Sequence, residues 1–230
     1  MRVVTDPVVR ALGDAALLFE FGEVIDAGVN ARVLAAWRAI LALRLPGVLD
    51  VVPAYASLAV HFDPARVELE SLASRVLDAC RNPTEQDETR PVVSVPVCYE
   101  AAFAPDMDEV CAHTGFSAEE VVALHTAADY RVFFLGFTPG FPYLGGLDPR
   151  LAVPRRDTPR TRIEPGSVAI GGAQTGVYPG ASPGGWHIIG RTPIRLFDHG
   201  RAPACLLAPG DRLRFVPVSA AGFFLLRDGD

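Results

Sequence analysis

From about residue 131 onward, the apolar residues of this chain never recur with a helical period. They come in short runs: 168–171 (VAIG), 186–190 (WHIIG), 193–197 (PIRLF), 204–208 (ACLLA) and 212–218 (RLRFVPV). Gly and Pro separate them. Each run suits one strand and is too short for a buried helix. Closely spaced strands with turn signals between them predict a barrel or sandwich. Within this half, 133–146 (FFLGFTPGFPYLGG) is dominated by glycines and rings, with two prolines. It reads as a rigid loop at the rim of a barrel pocket, since Gly lets backbone approach a ligand and Pro limits the entropy lost on binding.

The first half has a different grammar. Residues 15–21 read as a strand, 26–44 as an amphipathic helix stopped by Pro46-Gly47, and 48–53 and 56–62 as two strands. A second amphipathic helix follows at 68–80 and a strand at 92–98. The order β-α-β-β-α-β is that of the ferredoxin-like, split βαβ arrangement. The polar, Pro-bounded stretch 82–91 (NPTEQDETRP) is the linker candidate, giving an α+β chain with domains at 1–90 and 91–230. Two short helices open the second domain. Asp106 with Glu109, and Ser117 with Glu120, have capping-box spacing, and Gly115 can end the first helix.

Composition excludes several chemistries. All 21 basic residues are Arg and none is Lys, which removes a Schiff base, a catalytic lysine and the lysine of a phosphate-binding loop. The net charge of −6 argues against nucleic acid or an anionic membrane as partner. The four cysteines show no metal or redox spacing, so no metal site is expected. The N-terminal segment carries charge where a signal peptide needs an apolar run, and a cytoplasmic protein is expected.

Three stretches can carry chemistry. In 133–146, the rings of Phe137, Phe141 and Tyr143 can form an apolar wall. Residues 150–162 hold five arginines, Arg150, Arg155, Arg156, Arg160 and Arg162, of which at least one is expected to bind an anion. Residues 171–191 add Gln174, Tyr178, Trp186 and His187 as a donor–acceptor set on a Gly-rich frame. His187 and His125 are the candidate general bases, although a lone histidine is more often structural. Alternation puts Trp186 and Ile188 on one side of their strand and His187 on the other. Residues alone give a two-domain cytosolic protein with an anion-receptive barrel pocket.

The run from LGFTPGFPYLGG through RRDTPRTR, GSVAIGGAQTG and GGWHIIGRTPIRLFD, with LGDAALLFEFG, PGVLDVVPAYASLAVHFDP and PVCYE, resembles the PxpB family. That family is also described as KipI or allophanate hydrolase subunit 1. The resemblance implies a ferredoxin-like N-terminal domain followed by a cyclophilin-like β-barrel. It implies a subunit of an ATP-dependent 5-oxoprolinase that opens 5-oxoproline to glutamate. Its partners would be a PxpC/KipA-type barrel subunit and a PxpA (LamB/YcsF)-type subunit. ATP would be a cosubstrate at a site shared with a partner, and the chain would be inactive alone. A KipI-type inhibitor of sensor histidine kinase autophosphorylation, and a carboxyltransferase component of urea or amide metabolism, are the alternatives.

Overall fold

The computed structural model describes residues 6–82 and 91–228. The chain forms two compact units, Met1–Thr89 and Arg90–Asp230. Most of the linker expected at 82–91 lies outside the described residues. Among the described residues, no helix is long and apolar enough to cross a membrane.

The N-terminal unit contains β1 (Val8–Ala11), β2 (Ala16–Glu20), α1 (Ala27–Leu43), β3 (Val48–Pro53), β4 (Ser57–Phe62) and α2 (Leu69–Arg81). Helix α1 starts where the Asp26 carboxylate accepts the Val29 amide, and α2 where Glu68 accepts two amides of its first turn. One face of each helix joins Phe19, Leu58 and Val60 in a common core. The sheet order is β1-β2-β4-β3, antiparallel throughout. Strands β2, β3 and β4 with α1 thus keep the split βαβ pattern. The edge beside β2, however, is filled by β1, which sequence periodicity misses. The fourth strand expected to close a ferredoxin-like sheet belongs to the other unit. Its alternating apolar residues, Val95 and Val97, are as compatible with one core as with the other, so pattern alone does not assign it.

That strand is β5 (Val93–Val97). After it come α3 (Met107–Thr114), α4 (Ala118–Ala127), β6 (Tyr130–Leu135), β7 (Pro142–Gly145), β8 (Arg160–Ile163), β9 (Ser167–Gly171), β10 (Gln174–Val177), β11 (Ser182–Gly184), β12 (His187–Arg191), β13 (Arg212–Pro217) and α5 (Ala220–Asp228). Seven strands form one sheet, ordered β12-β9-β10-β7-β6-β13-β5. Its two edges meet. The Cys98 amide donates to Arg191 O at 2.8 Å, and the Arg191 amide donates to Cys98 O at 2.9 Å. The sheet is therefore a nearly closed barrel. Every strand sends side chains into one interior, including Val97, Val132, Leu144, Ile170, Val177, Ile189 and Leu213. Strands β8 and β11 form a separate two-stranded ribbon.

Several expectations change here. Residues 133–146 are a hairpin of two barrel strands, closed by a short turn in which the Gly136 amide donates to Phe141 O at 3.1 Å. The glycines do not break the strands; Gly145 makes room for the Phe133 ring. The runs 193–197 and 204–208 are not ladder strands. One bridge joins them, Phe197 to Cys205, flanked by the Asp198 amide donating to Ala204 O at 2.9 Å and the Leu206 amide donating to Leu196 O at 2.7 Å; the Arg201 guanidinium donates to the same two carbonyls. Helix α5 escapes the periodicity test because its apolar residues are contiguous. Only Phe223 among them is buried, and Leu225 is 77% exposed.

Candidate functional site

Small side chains in the barrel wall let a second cluster assemble on its outer surface. Strand β9 sends Val168 and Ile170 inward and Ala169 outward, where it joins Phe141, Ile163, Tyr178, Trp186 and Ile188. A Cβ at Gly171 would stand 2.4 Å from the Trp186 ring, and one at Gly176 would stand 2.9 Å from Phe141. The two rings rest directly on bare backbone, which explains Gly171 and Gly176 of GGAQTG, whereas Gly172 serves its left-handed turn, with φ at 64°. Phe141 lies at the centre, 5.0 Å from Tyr143, 5.1 Å from Tyr178 and 5.7 Å from Trp186 between ring centroids, all at steep angles.

Above this floor is a cavity of about 200 Å³, lined by Phe137, Phe141, Tyr143, Arg155, Tyr178 and Trp186 among others. The pocket therefore lies outside the barrel, whose interior is filled. Burial pushes the Tyr178 hydroxyl up to about 12 and raises that of Tyr143, so both present neutral O–H groups at neutral pH. Phe137 stands at the edge, 59% exposed, with φ at 65°. A bulky side chain in that left-handed region is unusual and strained.

The five arginines of 150–162 separate cleanly. Arg150 pairs with Asp148 at 2.7 Å and Arg162 with Glu164 at 3.0 Å, both on the surface. Arg156 and Arg160 converge on Asp106, which is 1% exposed. Arg156 Nη1 donates to Asp106 Oδ1 at 2.8 Å and to Glu109 Oε2 at 2.6 Å; Arg160 Nη1 donates to Asp106 Oδ2 at 2.8 Å. The Ile188 amide donates to the same Oδ2 at 2.7 Å. Asp106 is thus an anchor for two guanidinium groups and a strand, and it makes no side-chain cap for α3. The Arg156 guanidinium also holds the Glu109 carboxyl below its ordinary range. Ser117 with Glu120 does form the expected capping box, and Gly115 ends α3 in the left-handed region.

Arg155 differs from the other four. Among the described residues it has no ion pair, and its guanidinium carbon lies 6.0 Å from the centre of the Trp186 ring. It is the cation that an incoming anion could take without breaking an existing pair.

Neither candidate histidine opens onto this cavity. His125 is fully buried in the barrel interior, stacked on Phe215 with centroids 4.6 Å apart. Its neighbours fix its tautomer. The Thr175 hydroxyl donates to Ala169 O at 3.0 Å, so it accepts from His125 Nε2–H at 3.0 Å. Nδ1 then accepts from the Tyr99 hydroxyl at 2.9 Å. Both nitrogens are occupied, and burial lowers the imidazole to about 3. The expectation of a base at His125 gives way to a neutral packing element. His187 faces away from the aromatic cluster, as alternation requires. Gln174 lies on the outer face of β10 with Gly176 but does not line the cavity. Sequence reasoning misses Asp106 and Glu109 as site residues. A signal exists in Asp106 and Glu109, an acidic pair one helical turn apart in a chain with an arginine-dense segment.

The carboxyltransferase domain model for subdomains C and D matches residues 7–207. The chain is 40% identical over 231 residues to the B-type subunit of 5-oxoprolinase from Bacillus subtilis, covering 96% of each chain. It is 41% identical over 213 residues to the protein of the same name from Escherichia coli O157:H7, covering 90% of this chain and 94% of that one. The crystal structure of TTHA0988 superposes with a TM-score of 0.81 at 40% identity, over 93% of this chain but only 41% of that longer one. Matched over nearly its whole length, the chain belongs to the carboxyltransferase subdomain C and D family, in the group of B-type 5-oxoprolinase subunits.

Proposed function

We propose that the chain is a subunit of an ATP-dependent 5-oxoprolinase and that its outer cavity receives 5-oxoproline. The observation that carries this reading is the unpaired Arg155 beside a small aromatic cavity. The 5-oxoproline carboxylate pairs with Arg155, and its ring lies among Tyr143, Phe141 and Trp186. Low polarity around the pair strengthens it relative to an open surface. At about 200 Å³ the cavity is smaller than the roughly 300–1,000 Å³ typical of drug-sized ligands, so the nucleotide is handled largely by a partner. ATP phosphorylates the lactam oxygen and leaves as ADP; one water adds to the activated carbon and the C–N bond breaks, freeing the amine and leaving an acyl phosphate; a second water then displaces phosphate to give glutamate. The partners are a PxpC/KipA-type barrel subunit and a PxpA-type subunit.

The test uses the assembled complex. Arg155→Ala is expected to raise KM for 5-oxoproline about 10- to 100-fold, the range of a sheltered charge-assisted pair of roughly 1.5–3 kcal/mol. An unchanged KM overturns the assignment. The single chain is expected to release no phosphate from ATP with 5-oxoproline present. The family description supports one further reading, carboxyl transfer to an amide or urea at the same cavity. Turnover of urea, and not of 5-oxoproline, by the complex would favour it.

A further inference from the structure

The segment that carries Arg155 is sewn to the barrel unit on both sides of that residue. Val153 exchanges two hydrogen bonds with Gly172, at 3.2 and 2.7 Å. The Arg156 amide donates to Gly185 O at 2.8 Å, and its guanidinium is clamped to Asp106 and Glu109. Pro154 has no N–H, and it is tied through its carbonyl, which lies 3.0 Å from His187 Nε2. A carbonyl can only accept, so Nε2 bears the proton. His187 is 3% exposed, on the opposite side of its strand from Trp186.

We infer that His187 is a positioning residue for Arg155, acting through the Pro154 carbonyl, and is not a general base. The proline ring fixes φ at residue 154, so ψ of Pro154 is the free torsion that aims the Arg155 side chain. The His187 bond holds the carbonyl that this torsion swings. The base role fails on geometry. With Nε2 committed, Nδ1 is the one ring nitrogen left, and it is buried 3.2 Å from Glu109 Oε2, away from the aromatic cavity. A second cavity of about 440 Å³ does border His187, with Glu109, His113 and Asp157, and it shares Arg155 and Arg156 with the aromatic cavity.

The inference rests on Arg155 being the carboxylate ligand, and the experiment separates the two claims. In the assembled complex, His187→Leu is expected to raise KM for 5-oxoproline about five- to tenfold, the effect of one lost hydrogen bond, with kcat within twofold of the parent. His187→Gln, which keeps a donor at the Nε2 end, is expected to restore KM to within about twofold. Pro154→Gly loosens the same joint with His187 intact and is expected to reproduce the KM rise, which keeps the idea testable if His187→Leu does not fold. In an Arg155→Ala background, His187→Leu is expected to add less than twofold, because the coupling runs through Arg155. A hundredfold fall in kcat in both His187 variants would restore the base and overturn the inference. If Arg155→Ala raises KM while His187→Leu and Pro154→Gly leave it unchanged, the inference alone fails. If Arg155→Ala itself has no effect, the substrate assignment fails first.

Discussion

His125 illustrates how a versatile side chain is withdrawn from chemistry. Its folded-state value of about 3 lies well below the ordinary 6.5, and burial is the cause. The folded state refuses a proton that the unfolded state binds below about pH 6.5, so stability is lost as pH falls through that value and continues to fall towards 3. The limiting slope is about 1.4 kcal/mol per pH unit. Urea unfolding between pH 6.5 and 5 should show this loss, and His125→Phe should abolish most of it, although the variant leaves Tyr99 and Thr175 without their partner. A flat pH profile in the parent would refute the buried neutral imidazole. In the sequence, His125 and His187 are indistinguishable, each beside apolar residues. The same holds for the five arginines. What sets Arg155 apart is the absence of an acid, and the acid that occupies Arg156 and Arg160 lies about 50 residues upstream. Such partners are fixed by tertiary structure and leave no trace in local spacing.

Elements are more legible than residues. Helices α1, α2, α3 and α4 are readable because each has a stop or start signal whose chemistry is local: Asp26 for α1, Glu68 for α2, Gly115 for α3 and Ser117 with Glu120 for α4. Strands β9, β12 and β13 stand out for the same reason, as apolar runs bounded by Gly or Pro. Strands β8 and β11, RTRI and SPG, are short and polar, and they exist because they cover the aromatic cluster. Asp106 links these scales. It is the point where α3, β12 and the Arg156–Arg160 segment meet. Asp106→Ala is expected to cost about 3 kcal/mol in chemical denaturation, the low end for a broken buried pair, since both guanidinium groups reach solvent. A loss under 1 kcal/mol would mean that the three elements hold together without it. Arg160→Ala should lower stability as well, through the same anchor.

At the level of the whole molecule, two units are readable from the change in grammar near residue 131 and the polar stretch before residue 91, but the owner of β5 is not. Strand ownership depends on which edge is vacant, and that edge is filled by β1 in one unit and created by β13 in the other. The seam of the barrel, Cys98 with Arg191, is made possible by Gly190, where a Cβ would stand 2.7 Å from Val97 Cγ1 and 3.0 Å from Cys98 O. Gly190→Val is expected to cost about 1–3 kcal/mol by overpacking. Hydrogen exchange should then show the Cys98 and Arg191 amides losing protection while those of β2 and β4 keep theirs. Uniform loss across both units would contradict a local seam. The pairing of β5 with β13 has another consequence, for synthesis. Leu213 lies beside Val93, roughly 120 positions earlier. A chain emerging from the ribosome can complete its N-terminal sheet early, but β5 waits for β13 through nearly the whole remaining translation. During that interval an apolar strand edge is open to any other nascent chain nearby.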